Sequence, residues 1–378
     1  MKLYIKILIL SVLFTSCKQK NNTSKQKDIS KEVIQIKYAK GFEIQRFNNA
    51  KKLIIKSPYL NSKEQFEYII STKGDSEKFY PKGTIINAPI QNVIVTSTTH
   101  IPMLELLGVE NTLIGFPQTT YISSIKTRKL IDQGLVKEVG VESSLNTEIL
   151  LALNPDVIIG FSMGKTNKSL NLVEKSGIPV VLNGDWLEDT PLGRAEWIKF
   201  FGVLYDKEKE ADSIFTVIEN NYFEAKAIAS KATSSPSILS GAIMSKDIWN
   251  LPAGESFVAQ FLKDANVNYL WKETKGKGSL SLSFESILDK GKAADIWIAP
   301  GYFSTKKQML DTNSNYKTFK AFTENQLFTF ANKVGETGGV LYFELGPTRP
   351  DLVLKDIIKI THPDLLKDYQ PTFFEKMD

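Results

Sequence analysis

From residue 92 onward, short apolar runs alternate with segments whose apolar positions recur every third or fourth residue. "NVIVTST" reads as a strand, "HIPMLELLG" as a helix closed by Gly108, and "NTLIGF" as the next strand. The same order continues with "NTEILLALN" (helix), "PDVIIGF" (strand), "NLVEKSG" (helix) and "IPVVLN" (strand). Short β-branched strands separated by helices predict a parallel sheet with helices packed on it, because such strands are covered on both faces. Residues 31–84 follow another pattern. "VIQIKYAKGFEIQRF", "KKLIIKSP" and "QFEYIIST" alternate apolar and polar positions between Gly and Asn-Asn turns, which predicts a small antiparallel β-rich extension.

A strandless stretch follows the first α/β block. "PLGRAEWIKFFGVL" places Pro191 at a first helical position, where its missing N–H costs nothing. Between Lys207 and Ser230, Ala211, Ile214, Phe215, Ile218, Tyr222 and Ala225 share one face. That spacing predicts a helix of about 24 residues, roughly 36 Å long. Its place between two α/β blocks predicts a bridge between two lobes. "SSPS" at 234–237 ends it. The alternation resumes through "ILSGAIM", "ESFVAQFLKDAN", "FESILDKG", "DIWIAP", "NYKTFKAFT" and "LFTFAN" to a last helix, "PDLVLKDIIKI". The expected fold is α/β, two Rossmann-like lobes bridged by one long helix. The expected divisions are an N-terminal lobe at 85–190, connecting helices at 191–232 and a C-terminal lobe with the final helix at 233–378.

The first residues add a cellular address. Lys2 and Lys6 flank an apolar run to Phe14, followed by Thr15, Ser16 and Cys17. The run is too short to span about 30 Å of hydrocarbon, so residues 1–16 read as a cleaved signal peptide. Cys17 is the only cysteine in the chain, and its setting is similar to a bacterial lipobox, in which the thiol is acylated. Two or more acyl chains anchor stably, which predicts an exported protein held to a membrane, facing the periplasm, by a flexible tether at 17–30. No internal disulfide is possible, and a core of this size needs none.

Removal of the signal leaves 362 of the 378 residues and lowers the net charge from +5 to +3. That balance is too mild to argue for nucleic acid as a partner, and nothing in the pattern demands an oligomer rather than a monomer. Several enzyme classes lack their motifs. There is no GxSxG elbow, no Walker loop and no HExxH, and "GFSMGK" lacks phosphate-loop spacing. Two histidines leave little room for a multi-histidine metal site, so neither catalysis nor a resident cofactor or metal is expected.

In open α/β sheets, ligands bind beyond the carboxyl ends of the strands. The residues there include Thr98, Thr99 and His100; Phe161, Ser162 and Met163; Asp185 and Trp186; Trp249; Tyr302; and Glu344 with Arg349. Facing rims of this kind suit a bulky, flat ligand. The candidate ligand-binding residues are Thr98, His100, Trp186, Arg194, Trp249, Tyr302 and Arg349, with Arg194 or Arg349 available to an anionic group. Core packing is the competing explanation for each tryptophan, and a cap or salt bridge on the last helix for Arg349.

Two glutamates occupy matching places. Glu148 in "LNTE" and Glu285 in "LSFE" each stand in the first turn of a helix, one per lobe. A first-turn carboxylate complements the helix dipole by about 0.3–1 kcal/mol, which would suffice to explain both. The alternative is that they face a common partner and fix its docked register.

The chain resembles the solute-binding proteins of ABC importers for iron complexes, haem and cobalamin, over roughly residues 85–370. The stretches that carry this are "NVIVTSTTHIPMLELLGVENTLIGF", "VGVESSLNTEILLALNPDVIIG", "GIPVVLNGDWLEDTPLGRAEWIKFFGVL", "LPAGESFVAQFLKDANVNYLW", "LSFESILDKGKAADIWIAPGY" and "RPDLVLKDIIKITHPDLL". The resemblance implies a rigid helix between the lobes and a glutamate on each lobe that meets permease arginines, here Glu148 and Glu285. It implies capture of an iron chelate, with a ferric siderophore ahead of haem or a corrinoid. Haem would want an axial Tyr or His, for which Tyr302 or His100 stands available. Competing readings are a tetrapyrrole metal chelatase on the same architecture and a surface lipoprotein that presents ligand to a receptor.

Overall fold

The computed structural model describes residues 32–47, 50–72, 83–162, 164 and 168–378. The signal peptide, the whole tether with Cys17, and Met163 lie outside the described residues.

The N-terminal extension is a five-stranded sheet, Glu32–Ile34, Phe42–Arg46, Lys51–Lys56, Gln65–Ser71 and Thr84–Asn87, in chain order. The first four strands are antiparallel, as their alternation predicts. The fifth runs parallel to its neighbour, with Ile69 opposite Ile85, so the sheet continues to Asn87. Two buried carboxylates tie it down. Glu196 accepts the backbone N–H groups of Lys37, Tyr38 and Ala39 at 2.6–3.0 Å, and Glu188 accepts those of Lys40 and Gly41 at 2.8–3.0 Å.

The N-terminal lobe carries a parallel sheet in the spatial order Val180–Leu182, Val157–Gly160, Val93–Val95, Leu113–Phe116, Lys137–Glu138. The C-terminal lobe repeats the plan with Asn268–Tyr269, Ser237–Ser240, Ile296–Ile298 and Leu327–Thr329, closed by an antiparallel edge strand at Glu375–Lys376. "ILSGAIM" is not one strand. It breaks at Gly241, where a φ of +78° and a backbone carbonyl 1.9 Å from any added Cβ admit only glycine. Beyond the break, Ala242–Ser245 enters a separate antiparallel sheet with Ile248–Pro252 and Ser279–Ser283.

Helix Glu208–Ala229 joins the lobes. Ala211, Phe215 and Ile218 pack into the N-terminal core, while Tyr222, Ala225 and Ala229 pack into the C-terminal core. One apolar face is thus divided between two cores, and each large side chain buried this way contributes about 1.5–3 kcal/mol. The Tyr222 hydroxyl donates to Asp264 at 2.8 Å, satisfying the one polar atom the face carries inward. "PLGRAEWIKFFGVL" forms two short helices, Pro191–Ala195 and Ile198–Leu204.

Candidate functional site

A cleft opens where the carboxyl ends of the two parallel sheets face each other. Its floor on the N-terminal side follows strand Val93–Val95, as Thr96, Ser97 and Thr98, and its walls are Phe116, Tyr121 and Phe161. Tyr302, Val340 and Phe343 close it from the other lobe. The cavity measures about 330 Å³. The Thr96 hydroxyl accepts the Phe161 N–H at 2.8 Å, which locks the two strand ends together. Tyr302 packs against Phe343 and Phe330 at 5.6 and 5.8 Å between ring centres. A smaller, more apolar cavity of about 150 Å³ lies between the lobes, bordered by Thr99, Arg194, Phe257, Tyr342 and Phe343.

The lobes touch beside the cleft. Glu344, 2% exposed, accepts the backbone N–H groups of Ser123 at 2.5 Å and Ser124 at 2.9 Å from the opposite lobe. Thr337 donates to the Thr120 carbonyl at 2.8 Å. Gly339 lies so close to Tyr121 that a Cβ would fall 2.2 Å from its carbonyl oxygen. Burial pushes the Glu344 pKa up to about 7 against the pull of the two serine N–H groups, and the nearby Glu105 charge adds to the rise.

The structure distributes the expected ligand-binding residues unevenly. Thr98 and Tyr302 line the cleft, and Tyr302 is 63% exposed. Trp186 stands one layer behind, edge-on to Phe161 at 5.3 Å. Arg194 borders the smaller cavity. Its guanidinium donates to the Trp186 and Glu188 carbonyls, 2.5 and 3.3 Å away, and lies 3.6 Å from the centre of the Phe257 ring of the other lobe. Burial lowers its pKa, and the Asp185 carboxylate opposes that fall.

Three candidates are drawn away from the cleft. His100 is fully buried, with Phe201 at 5.5 Å, and desolvation holds its pKa below the usual histidine range. It cannot reach a cleft ligand, because the helix that begins at His100 turns its first residue into the core. Trp249 is fully buried too. Its ring stacks on Trp297 at 5.1 Å and its indole N–H donates to the Ser240 carbonyl at 3.0 Å, so an inward position in the antiparallel sheet satisfies both its faces and its donor. Arg349 makes a two-pronged pair with Asp351, at 2.8 and 2.7 Å, from the N-cap position of the last helix. The convergence of Trp186, Trp249 and Tyr302 on one crevice does not occur.

Glu148 and Glu285 stand in first helical turns as read, with Asn146 and Ser283 serving as the caps at 3.1 and 3.3 Å. Both glutamates are exposed and have no ion-pair partner among the described residues. The sequence reading passed over Ser97, Tyr121 and Phe343. Ser97 lies just past strand Val93–Val95, where the strand-end rule applied one residue earlier finds it, and Tyr121 ends a short turn, Thr119–Tyr121, that follows strand Leu113–Phe116 after Pro117 and Gln118. Phe343 sits on a five-residue helix, Leu341–Leu345, with no sequence signal of its own.

Two α/β lobes, one bridging helix and a cleft with aromatic walls contributed by both lobes define a two-lobed solute-binding protein. The chain belongs to the periplasmic binding protein family, whose profile matches residues 93–334. An uncharacterized lipoprotein of Methanocaldococcus jannaschii is 26% identical over 366 residues, spanning 90% of this chain and 85% of that protein. Among solved structures, a possible iron-binding periplasmic solute-binding protein of Staphylococcus epidermidis is similar in fold. It has 20% identity and a TM-score of 0.56, over 72% of this chain and 99% of that one. A periplasmic heme-binding protein of Pseudomonas aeruginosa is similar as well, with 17% identity and a TM-score of 0.57 over 76% and 98% of the two chains.

Proposed function

We propose that the protein captures a flat metal chelate of the tetrapyrrole class in the inter-lobe cleft and delivers it to an ABC permease. The observation that carries this reading is the lining of the larger cavity, in which Phe116, Phe161, Tyr121, Tyr302 and Phe343 present aromatic surface from both lobes. Ring faces bury a planar ligand at low entropic cost and favour offset stacking. Tyr121 and Tyr302 also offer phenolic oxygens to a ferric centre. Of the two solved structures named above, one is described as a possible iron-binding protein and the other as heme-binding.

The sequence placed a ferric siderophore first because it expected free cations at the rim. Arg349 is committed to Asp351, and the larger cavity has no Lys or Arg among its described lining residues. The siderophore remains a second reading through Arg194 at the smaller cavity. An absorbance titration separates them. A haemin titration is expected to shift the Soret band with saturable binding, whereas a ferric siderophore would quench tryptophan fluorescence without a Soret shift. Quenching by siderophores alone would overturn the tetrapyrrole reading.

Glu148 and Glu285 serve this function as the contacts for permease cations, one per lobe, an arrangement supported by their exposure and their freedom from ion pairs among the described residues. The double variant Glu148→Ala, Glu285→Ala is expected to bind ligand normally and to lose uptake in cells. Undiminished uptake would remove the docking role. Acylation of Cys17 fits the lipoprotein relative and keeps the protein near its permease.

A further inference from the structure

Beneath the cleft floor runs a chain of side-chain hydrogen bonds whose proton direction is determined by its buried end. The Thr99 hydroxyl lies 2.7 Å from Asp185 Oδ2, and the Ser97 hydroxyl lies 3.0 Å from the Thr99 hydroxyl. Asp185 is 2% exposed and follows strand Val180–Leu182, where Asn183 Oδ1 accepts its backbone N–H at 2.8 Å. A carboxylate only accepts, and a hydroxyl has one proton to give. Thr99 therefore spends its proton on Asp185 and must accept from Ser97. Ser97 in turn spends its own proton on Thr99. Its remaining capacity is acceptor capacity, and Ser97 lines the larger cavity. One lone pair receives a long contact of 3.4 Å from the Thr99 N–H, which leaves the other for the cleft.

We infer that Asp185, acting through Thr99, holds Ser97 as a hydrogen-bond acceptor toward the cleft, so that the protein selects chelates presenting an N–H or O–H donor there over those presenting carboxylates or esters. This deepens the proposed function and rests on it, naming the periphery of the ligand where that reading names only its flat centre. A second feature of the same wall agrees. Glu142 is the one charged residue among the described lining residues, and it has no ion-pair partner among the described residues. An ionised carboxylate on the ligand would meet a serine lone pair and a second acidic side chain. An amide or amine would satisfy both. Asp185 is a positioning residue in this scheme, and Ser97 is the atom the ligand touches.

The test uses the full-length protein and three iron(III) porphyrins that share one ring and differ only in two side chains, as free carboxylates, methyl esters or primary amides. Affinities are read by absorbance titration. The wild type is expected to bind the amide about tenfold more tightly than the ester, the size of one buried acceptor left unpaired. In Ser97→Ala the amide and ester should converge. In Asp185→Asn the amide nitrogen takes the place of the acceptor at Thr99 and donates to it, and the chain reverses so that Ser97 offers its proton to the cleft. The ester should then equal or overtake the amide. A merely structural role for Asp185 would weaken all three probes alike and leave their order intact. Equal binding of amide and ester by the wild type, or an unchanged order in Asp185→Asn, overturns the inference alone. If none of the three porphyrins binds, the tetrapyrrole reading and this inference fall together.

Discussion

At the scale of single residues, the decisive quantity is where each polar group finds its partner. Glu344 gains two backbone N–H bonds but loses water, and the loss prevails, raising its pKa to about 7. The sign follows from linkage. A carboxyl raised above its unfolded value near 4.5 stabilises the folded form most at low pH, and that contribution disappears as pH climbs through 7. At 2% exposure little solvent screening applies, so wild-type stability is expected to fall by on the order of 3 kcal/mol between pH 5 and pH 9 from this group. Glu344→Gln should flatten that slope, measurable by chemical denaturation across the pH range. An equally steep slope in the variant would show that another group is responsible. Trp249 gives the complementary case. Buried against Trp297, it is a structural residue, and Trp249→Ala is expected to cost about 3–5 kcal/mol in unfolding free energy.

At the scale of elements, the connecting helix tests how the two cores depend on each other. Its periodicity predicted a helix of about 24 residues from Lys207 to Ser230, and the structure gives one of 22, Glu208–Ala229, with those two end residues as its caps. Val217 is 57% exposed, midway along, and contributes no buried contact. Val217→Pro removes a hydrogen bond and kinks the helix, a loss of about 3 kcal/mol or more. Because the kink falls between Phe215 and Tyr222, calorimetry should resolve two transitions where the wild type shows one. A single transition at lower temperature would mean that other inter-lobe contacts couple the cores. The extension depends on a device no pattern announced. Glu188 and Glu196 both turn inward to collect five backbone N–H groups of residues 37–41. Glu196→Ala removes the acceptor of three of those donors, with Ala39 the buried one, and is expected to release the extension, seen as faster amide exchange at 37–39.

At the scale of the whole molecule, a single stiff helix and the tie from Glu344 to Ser123 and Ser124 limit the motion available to the lobes. Closure of a few degrees is expected on ligand binding, and spin labels at Glu148→Cys and Glu285→Cys should report a distance change of no more than a few ångström. A wide swing would contradict the stiffness assigned to the helix.

The lobes, their order and the bridging helix were legible because each rests on local periodicity. β-branched runs bury as parallel strands, and one apolar face every third or fourth residue buries as a helix, whatever lies beyond them. The signals at Glu148 and Glu285 were legible for the same reason, since a first-turn acid depends only on its own helix. The cleft was not. Whether Trp249 or Tyr302 faces it depends on which sheet a strand joins, and Gly241 sends Trp249's strand into a different sheet from Ser237–Ser240. Glu344 and Ser123 are 221 positions apart, and Asp185 and Thr99 are 86 apart. Short-range patterns record how a segment buries itself. They carry no information about which distant donor meets which buried carboxylate, and those pairings, one within the N-terminal lobe and one between the lobes, are made only in the tertiary structure and decide what the cleft can hold.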